Sequence, residues 1–218
     1  MGAMSSPPSG PPAPIRAVIF DWGGVIEPLP NAARFAEWER RLGLPPGALQ
    51  PVLWGDLWQE VERGTVTLDA YGAHVCRACG FAGPEELEAF YQEFYPRRAH
   101  PSMLATLRAL RPRYRTAILS NAFHGQREHI AELTGAPVEA LVDDYINSAE
   151  VGLRKPEIAI FQMALDRLGV APAEAVFLDD TAANIAAAGV AGLRGIQVDE
   201  PEQALAALEA LLGHPLDG

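Results

Sequence analysis

The residues able to do chemistry fall in four short groups. Asp21 closes the run Ala17-Val18-Ile19-Phe20 and is followed by Trp22, Gly23 and Gly24. Ser120-Asn121 closes Thr116-Ala117-Ile118-Leu119, and Asp179-Asp180 closes Ala175-Val176-Phe177-Leu178. Lys155 stands in Gly152-Leu153-Arg154-Lys155-Pro156-Glu157. Brought together, these supply three carboxylates, a hydroxyl with helix-entrance amides, and one ammonium. Clustered carboxylates repel unless a cation neutralises them. Hard oxygen ligands with room for water suit Mg²⁺, which takes one or two carboxylates plus substrate phosphate. Ser120, the amides after it and Lys155 would then hold the other phosphate oxygens. A carboxylate so placed can attack phosphorus in line and form an aspartyl-phosphate.

The elements that must position these groups are legible in the apolar pattern. A run that is apolar at every position is the mark of a strand buried on both faces of a parallel sheet. Ligands of such sheets bind beyond the carboxyl ends of the strands, where Asp21, Ser120-Asn121 and Asp179-Asp180 fall. Strands are expected at about Ile15–Phe20, Thr116–Leu119, Asp144–Ser148, Ala175–Leu178 and Leu193–Val198. Helices are expected between them, with Pro156 presetting a helix start at Lys155 and Thr181 capping the helix that ends at Gly189. The fold class is α/β, a Rossmann-like parallel sheet with helices on both faces.

Between about Glu27 and Pro96 no strand pattern appears. Asn31 is placed to cap a helix ending at Gly43, a second short helix ends at Gly64, Thr67 caps a third and Pro84 opens a fourth. Residues 31–96 therefore read as a small all-helical cap inserted after the first strand. Residues 15–30 and 97–218 read as the α/β core, and residues 1–14, rich in Ser, Pro, Gly and Ala, as a disordered leader with a possible natural start at Met4.

Bulk composition narrows the partners. At 218 residues and 49% hydrophobic, the chain can bury a real core. A net charge of −11 argues against a nucleic-acid backbone binder but not against a small anionic substrate. No stretch approaches the ~20 apolar residues of a membrane span, and the start lacks a basic region followed by an apolar run. A cytoplasmic setting and a small phosphorylated partner are the expectations; oligomeric state is not legible. Lysine usage is informative, because Lys155 is the only lysine among 17 basic residues. A compact point charge is what Arg cannot replace.

With these four groups in this order and a helical segment after the first, the chain resembles the haloacid dehalogenase superfamily. It looks most like its small-cap members, such as the soluble epoxide hydrolase phosphatase domain and bacterial glucose-1-phosphate phosphatases. The resemblance covers about Arg16 to Glu27 and Thr116 to Asp199. It implies Asp21 as nucleophile and Mg²⁺ ligand, the Gly23 carbonyl as a second ligand, and Asp180 with Asp179, directly or through water, completing the metal site. It also implies Ser120 and Asn121 as phosphate-binding residues, and Lys155 as the group offsetting charge on nucleophile and phosphate. The activity implied is Mg²⁺-dependent hydrolysis of a small phosphomonoester.

One position departs from the pattern. Most phosphatases of the superfamily carry an acid/base Asp two residues after the nucleophile, where this chain has Gly23. General acid–base help is worth ~10²–10⁴ in rate. Glu27, His124 or the substrate could stand in, the plainer reading of Glu27 and His124 being surface polarity. A catalytically weak or inactive phosphate-ligand binding or regulatory protein is an alternative. Haloacid dehalogenation needs no leaving-group proton, but has no use for the Asp179-Asp180 pair. Schiff-base phosphonate cleavage wants a cap lysine, and residues 31–96 contain none.

Other features carry less. Cys76 and Cys79, with His74 before them, lack the second pair that a structural zinc needs, so two small packed residues are expected. Phe35, Trp38, Trp54 and Trp58 are expected mostly as the cap's own core, and Trp22 as part of the pocket mouth.

Overall fold

The computed structural model describes residues 13–31 and 33–216, so most of the expected leader lies outside the described residues. Five strands form one parallel sheet: β1 (Ala17–Phe20), β2 (Arg115–Ser120), β3 (Asp144–Asn147), β4 (Ala175–Asp179) and β5 (Arg194–Gln197), in the order β3-β2-β1-β4-β5. The first strand lies at the centre, with β2 and β4 on its two sides in register at Phe20↔Ile118 and Phe20↔Leu178.

Successive strand side chains point to opposite faces, and the core divides accordingly. Val18, Phe20, Ile118, Val176 and Leu178 face one apolar cluster, shared with α6 (Pro101–Leu110), α7 (Gln126–Thr134) and α12 (Pro201–Leu212). Ala17, Ile19, Leu119, Ile146 and Phe177 face another, built with α10 (Ile158–Leu168) and α11 (Ala182–Val190). Helices thus cover both faces, which is why the central strands β1 and β4 are apolar at every position up to the sheet edge, whereas the outer strands β3 and β5 carry polar residues.

Between β1 and α6 the chain forms α1 (Ala33–Leu42), α2 (Leu49–Leu53), α3 (Asp56–Glu62), α4 (Leu68–Cys79) and α5 (Pro84–Phe94). Thr67 caps α4 as expected, accepting from Ala70 N at 3.2 Å. The helix α2 was not expected from the sequence. It has no side-chain cap and carries a proline in the middle of its five residues. These helices share a third apolar cluster around Trp38, Leu49, Tyr71, Phe90 and Phe94, joined by Phe123 from the loop after β2. Cys79 is buried in it and Cys76 packs against it, while His74 is exposed, which is the plain packing role expected of the pair.

Two expectations about helix starts are corrected. Pro156 does not open α10, because that helix begins at Ile158 after Glu157, and Lys155 lies in the preceding turn. The Thr181 side chain does not cap α11; its hydroxyl turns instead to Asp180 Oδ1 at 3.2 Å.

Candidate active site

Asp21 lies one residue beyond β1, yet its N–H still donates to the Leu178 carbonyl at 2.8 Å. The register therefore continues and sets Asp21 beside Asp179. Adjacent strands run about 4.8 Å apart and residues in register face the same side, here the side of Ile19 and Phe177. The turn before α10 crosses that side and delivers Lys155. Its Nζ lies 2.7 Å from Asp21 Oδ1, 2.7 Å from Asp179 Oδ2 and 5.4 Å from the centre of the Phe177 ring. Lys155 is 1% exposed.

Each site carboxylate has a distinct surrounding. Asp179, wholly buried, accepts from Thr181 N at 2.8 Å and from Asn184 Nδ2 at 3.0 and 3.1 Å, besides Lys155. Its oxygens are thus taken up by donors of the protein. Asp180 is half-buried and packs over Gly24, where a Cβ would overlap its carboxylate. Gly24 also has φ +77, in the left-handed region that favours glycine. At Gly23 an added Cβ would meet nothing within 4 Å. The hydrogen bonds that close this turn use the Trp22 carbonyl and the Gly24 N–H, both paired with Glu27, and leave the Gly23 carbonyl outside the pairing.

Burial pushes the Asp21 carboxyl well above its usual range; Lys155 opposes this, and Asp179 and Asp180 add to it. Burial likewise raises Asp180, with Asp179 adding to the shift. For Lys155, burial alone would lower the ammonium, but Asp21 and Asp179 outweigh it and the group is held above its ordinary value. Carboxylate oxygens of Asp21, Asp179 and Asp180 lie within 4.8 Å of one another, the only such acidic or metal-ligating group found among the described residues. Three carboxylates beside one ammonium leave an excess of negative charge on oxygen ligands, and a hard divalent cation fits that donor set.

Ser120 and Asn121 stand at the end of β2 and line the same cavity as Asp21. The Asn121 side chain is engaged by the Lys155 peptide: Oδ1 accepts from Lys155 N at 2.8 Å and Nδ2 donates to Lys155 O at 2.9 Å. It ties two of the four groups together. Sequence reasoning missed three supports. Asn184 holds Asp179 from the first turn of α11. Ser148 Oγ accepts from Ala122 N at 2.8 Å and fixes the loop after Ser120. Arg154 donates to Glu62 Oε2 at 2.6 and 3.1 Å, tying the Lys155 turn to α3. Only Ser148 had a visible signal, as the polar end of another strand.

Glu27 is not the surface group it was expected to be. It is 6% exposed, accepts from Trp22 Nε1 at 2.8 Å and lies 3.0 Å from His129 Nε2. His124 is exposed, as its plain reading had it. Trp22 is buried, with its indole turned toward Glu27.

The family profile described as haloacid dehalogenase-like hydrolase matches residues 15–192. The chain is 32% identical over 212 residues to mouse acyl-CoA dehydrogenase family member 10, covering 92% of this chain and 19% of that protein. It is 29% identical over 217 residues to rat bifunctional epoxide hydrolase 2, covering 91% and 39%. The chain thus spans well under half the length of these two relatives. The sesquiterpene phosphatase astK of Aspergillus oryzae is 26% identical over 206 residues, covering 91% of this chain and 97% of that protein. An (S)-2-haloacid dehalogenase of Burkholderia cepacia matches over 149 residues at 30%, covering 67% and 60%. Among solved structures, a protein of Porphyromonas gingivalis described as a predicted HAD-like family hydrolase superposes with a TM-score of 0.74 at 24% identity, covering 92% and 98%. A HAD family enzyme of Bacteroides thetaiotaomicron, in complex with magnesium and inorganic phosphate, gives 0.71 at 22%, covering 84% and 93%. These likenesses bear on the fold, while the profile match fixes the family: the chain belongs to the haloacid dehalogenase-like hydrolases.

Proposed function

We propose that this protein is a Mg²⁺-dependent phosphomonoesterase acting through an aspartyl-phosphate on Asp21. The observation that carries the reading is the Lys155 ammonium held between Asp21 and Asp179, with Asp180 alongside. The magnesium and phosphate bound by the Bacteroides enzyme, and the activity named for the Aspergillus relative, support it.

In this reading one Asp21 oxygen attacks phosphorus, the bond from phosphorus to the ester oxygen breaks, and the leaving alkoxide takes a proton. Water then attacks phosphorus, the acyl-phosphate P–O bond breaks, and the Asp21 carboxylate is restored with inorganic phosphate as product. Lys155 stays charged and offsets the negative charge of nucleophile and phosphate. The Ser120 hydroxyl and the amides after it orient the phosphoryl group, and Asn121 holds the Lys155 turn in place. Mg²⁺, held by Asp21, Asp180 and the Gly23 carbonyl, with Asp179 acting through Lys155 or a water, would supply positive charge to the transferring group. Residues 31–96 serve as the cap over a core of residues 15–30 and 97–218, excluding water and selecting substrate. Of the two stand-in proton donors, Glu27 lines the cavity and His124 does not.

The test is a screen of phosphate esters with Mg²⁺, read against Asp21→Asn. Mg²⁺-dependent turnover lost in the variant is expected; equal turnover in both would remove Asp21 as nucleophile. The glycine at position 23 favours one second reading, a phosphate-ligand binding protein without turnover. Tight Mg²⁺-dependent trapping of beryllofluoride with no ester hydrolysed would favour it.

A further inference from the structure

The cavity that Asp21 and Ser120 line is about 1650 Å³, larger than the roughly 300–1,000 Å³ usual for small-molecule sites. Its wall away from the carboxylates is aromatic. Phe35, Trp54, Trp58, Tyr91 and Tyr95 line it and are only partly buried, so these rings cover the third apolar cluster on one side and meet open volume on the other. Trp38 differs, being buried and absent from the lining. The rings of the wall pack in two groups. Phe35 lies 5.1 Å from Trp54 and 4.5 Å from Phe94, centre to centre, and Trp58 lies 6.2 Å from Phe123. Phe123 is three residues past Ser120, so the aromatic surface begins beside the proposed phosphate site.

Charge in the cavity points the same way. Among the described residues, each basic side chain lining it already has a carboxylate partner: Lys155 with Asp21 and Asp179, Arg154 with Glu62, His129 with Glu27, and at the exposed edge Arg97, loosely, with Glu132 at 3.7 Å. A second anionic group on the substrate would find no unpaired basic side chain in the lining among the described residues. The buried carboxylates Glu27, Glu39 and Glu62 also have donors of their own, from Trp22, Leu49 N–H and Arg154. Beyond Asp21 and Asp180, the remaining acidic side chains of the lining, such as Glu88 and Glu128, are exposed.

We propose that the substrate is a monoester of phosphate with a large apolar alcohol, its single anionic group at Asp21 and its hydrocarbon part along the Phe35–Trp54–Trp58 wall. This deepens the phosphomonoesterase reading and rests on it. Partly buried aromatic rings around an empty volume gain by contact with hydrocarbon, whereas a sugar or base would leave its polar groups without partners there.

The experiment measures kcat/KM with saturating Mg²⁺ for n-alkyl phosphates from ethyl to octyl, beside a sugar phosphate, a nucleoside monophosphate and phosphocholine. In parallel, calorimetry follows binding of the matching alkylphosphonates, which cannot be hydrolysed at phosphorus. Burial of each methylene predicts a rise of about threefold to fourfold per carbon in kcat/KM and in phosphonate affinity. The octyl-to-ethyl ratio should fall about tenfold in Trp54→Ala and in Trp58→Ala, and be largely retained in Trp54→Phe and Trp58→Phe, which keep a ring for the wall. A chain-length slope near one, or preference for the sugar phosphate, the nucleotide or phosphocholine, would overturn the proposal. No hydrolysis of any ester, with phosphonate affinity still rising with chain length, would defeat the phosphatase reading and leave the apolar ligand standing.

Discussion

The adjacent glycines of the turn after Asp21 should respond differently to alanine. At Gly24 the backbone sits at φ +77, and a Cβ would overlap the Asp180 carboxylate. The left-handed conformation costs a non-glycine residue roughly 1–2 kcal/mol. Asp180 must also rotate away, giving up its contact with the Thr181 hydroxyl, which adds about 0.5–1.5 kcal/mol. Gly24→Ala should therefore lose about 1.5–3.5 kcal/mol of stability. If Asp180 is a metal ligand, the midpoint for Mg²⁺ should rise by about tenfold or more, since 1.4 kcal/mol is a factor of ten. At Gly23 the φ is not in the left-handed region and the added methyl meets nothing within 4 Å, so Gly23→Ala should stay within about 0.5 kcal/mol of wild type. Urea unfolding with and without Mg²⁺, together with a Mg²⁺ titration followed by Tm, reads both quantities. Equal stability and equal Mg²⁺ midpoints for Gly24→Ala and wild type would refute the assignment of Asp180 and its close packing on Gly24.

Other perturbations follow from the same geometry. The open space at Gly23 predicts that Gly23→Asp folds normally and raises kcat, by up to the ~10²–10⁴ of a general acid; a folded variant no faster than wild type would show that leaving-group protonation is already supplied. Lys155→Arg places a planar fork where a point charge touches two carboxylates, so kcat should fall by at least about 10²-fold, and unchanged kcat would make the lone lysine incidental. Asn184→Leu removes two hydrogen bonds to the buried Asp179 and should cost about 1.5–3 kcal/mol in urea unfolding. Tyr91 is pushed by burial up to about 12. A raised folded value means that its contribution is fully present below the unfolded value near 10 and is lost as pH rises from 10 to 12. Stability should hold level through pH 9 and then fall by about 2–3 kcal/mol for this group, as Tm against pH would show; a Tm unchanged through pH 12 would contradict its burial.

The centre of the sheet was legible because a strand covered on both faces, as β1 and β4 are, has no polar position to disguise it. Its strand ends were legible because a carboxylate or a Ser-Asn pair after three or four apolar residues has few structural uses. What escaped was set by contacts between distant parts of the chain. Glu27 precedes a Pro-Leu-Pro stretch and resembles a loop surface, yet His129, 102 residues later, helps to bury it. Asn121 looked like a phosphate ligand by its place after Ser120, and its side chain is taken by a peptide 34 residues away. Asn184 gave no signal at all, since its role depends on the path of the chain through Thr181. The short helices α2, α8 (Val138–Leu141) and α9 (Ser148–Val151) are each one turn or little more, too brief for a 3.6-residue period to show. The aromatic residues near Trp54 could be placed in the helical segment but not oriented, because a core face and a cavity face carry the same residue types.

The proposed reaction requires that Asp21 become phosphorylated. Rapid quench of the protein with Mg²⁺ and an excess of an activated phosphate ester, followed by mass spectrometry of the peptide containing Asp21, tests it directly. One phosphoryl group is expected on Asp21 during turnover, lost on hydroxylamine treatment and absent from Asp21→Asn. Undiminished turnover with an unmodified Asp21 at every quench time, or label carried by another residue, would contradict it.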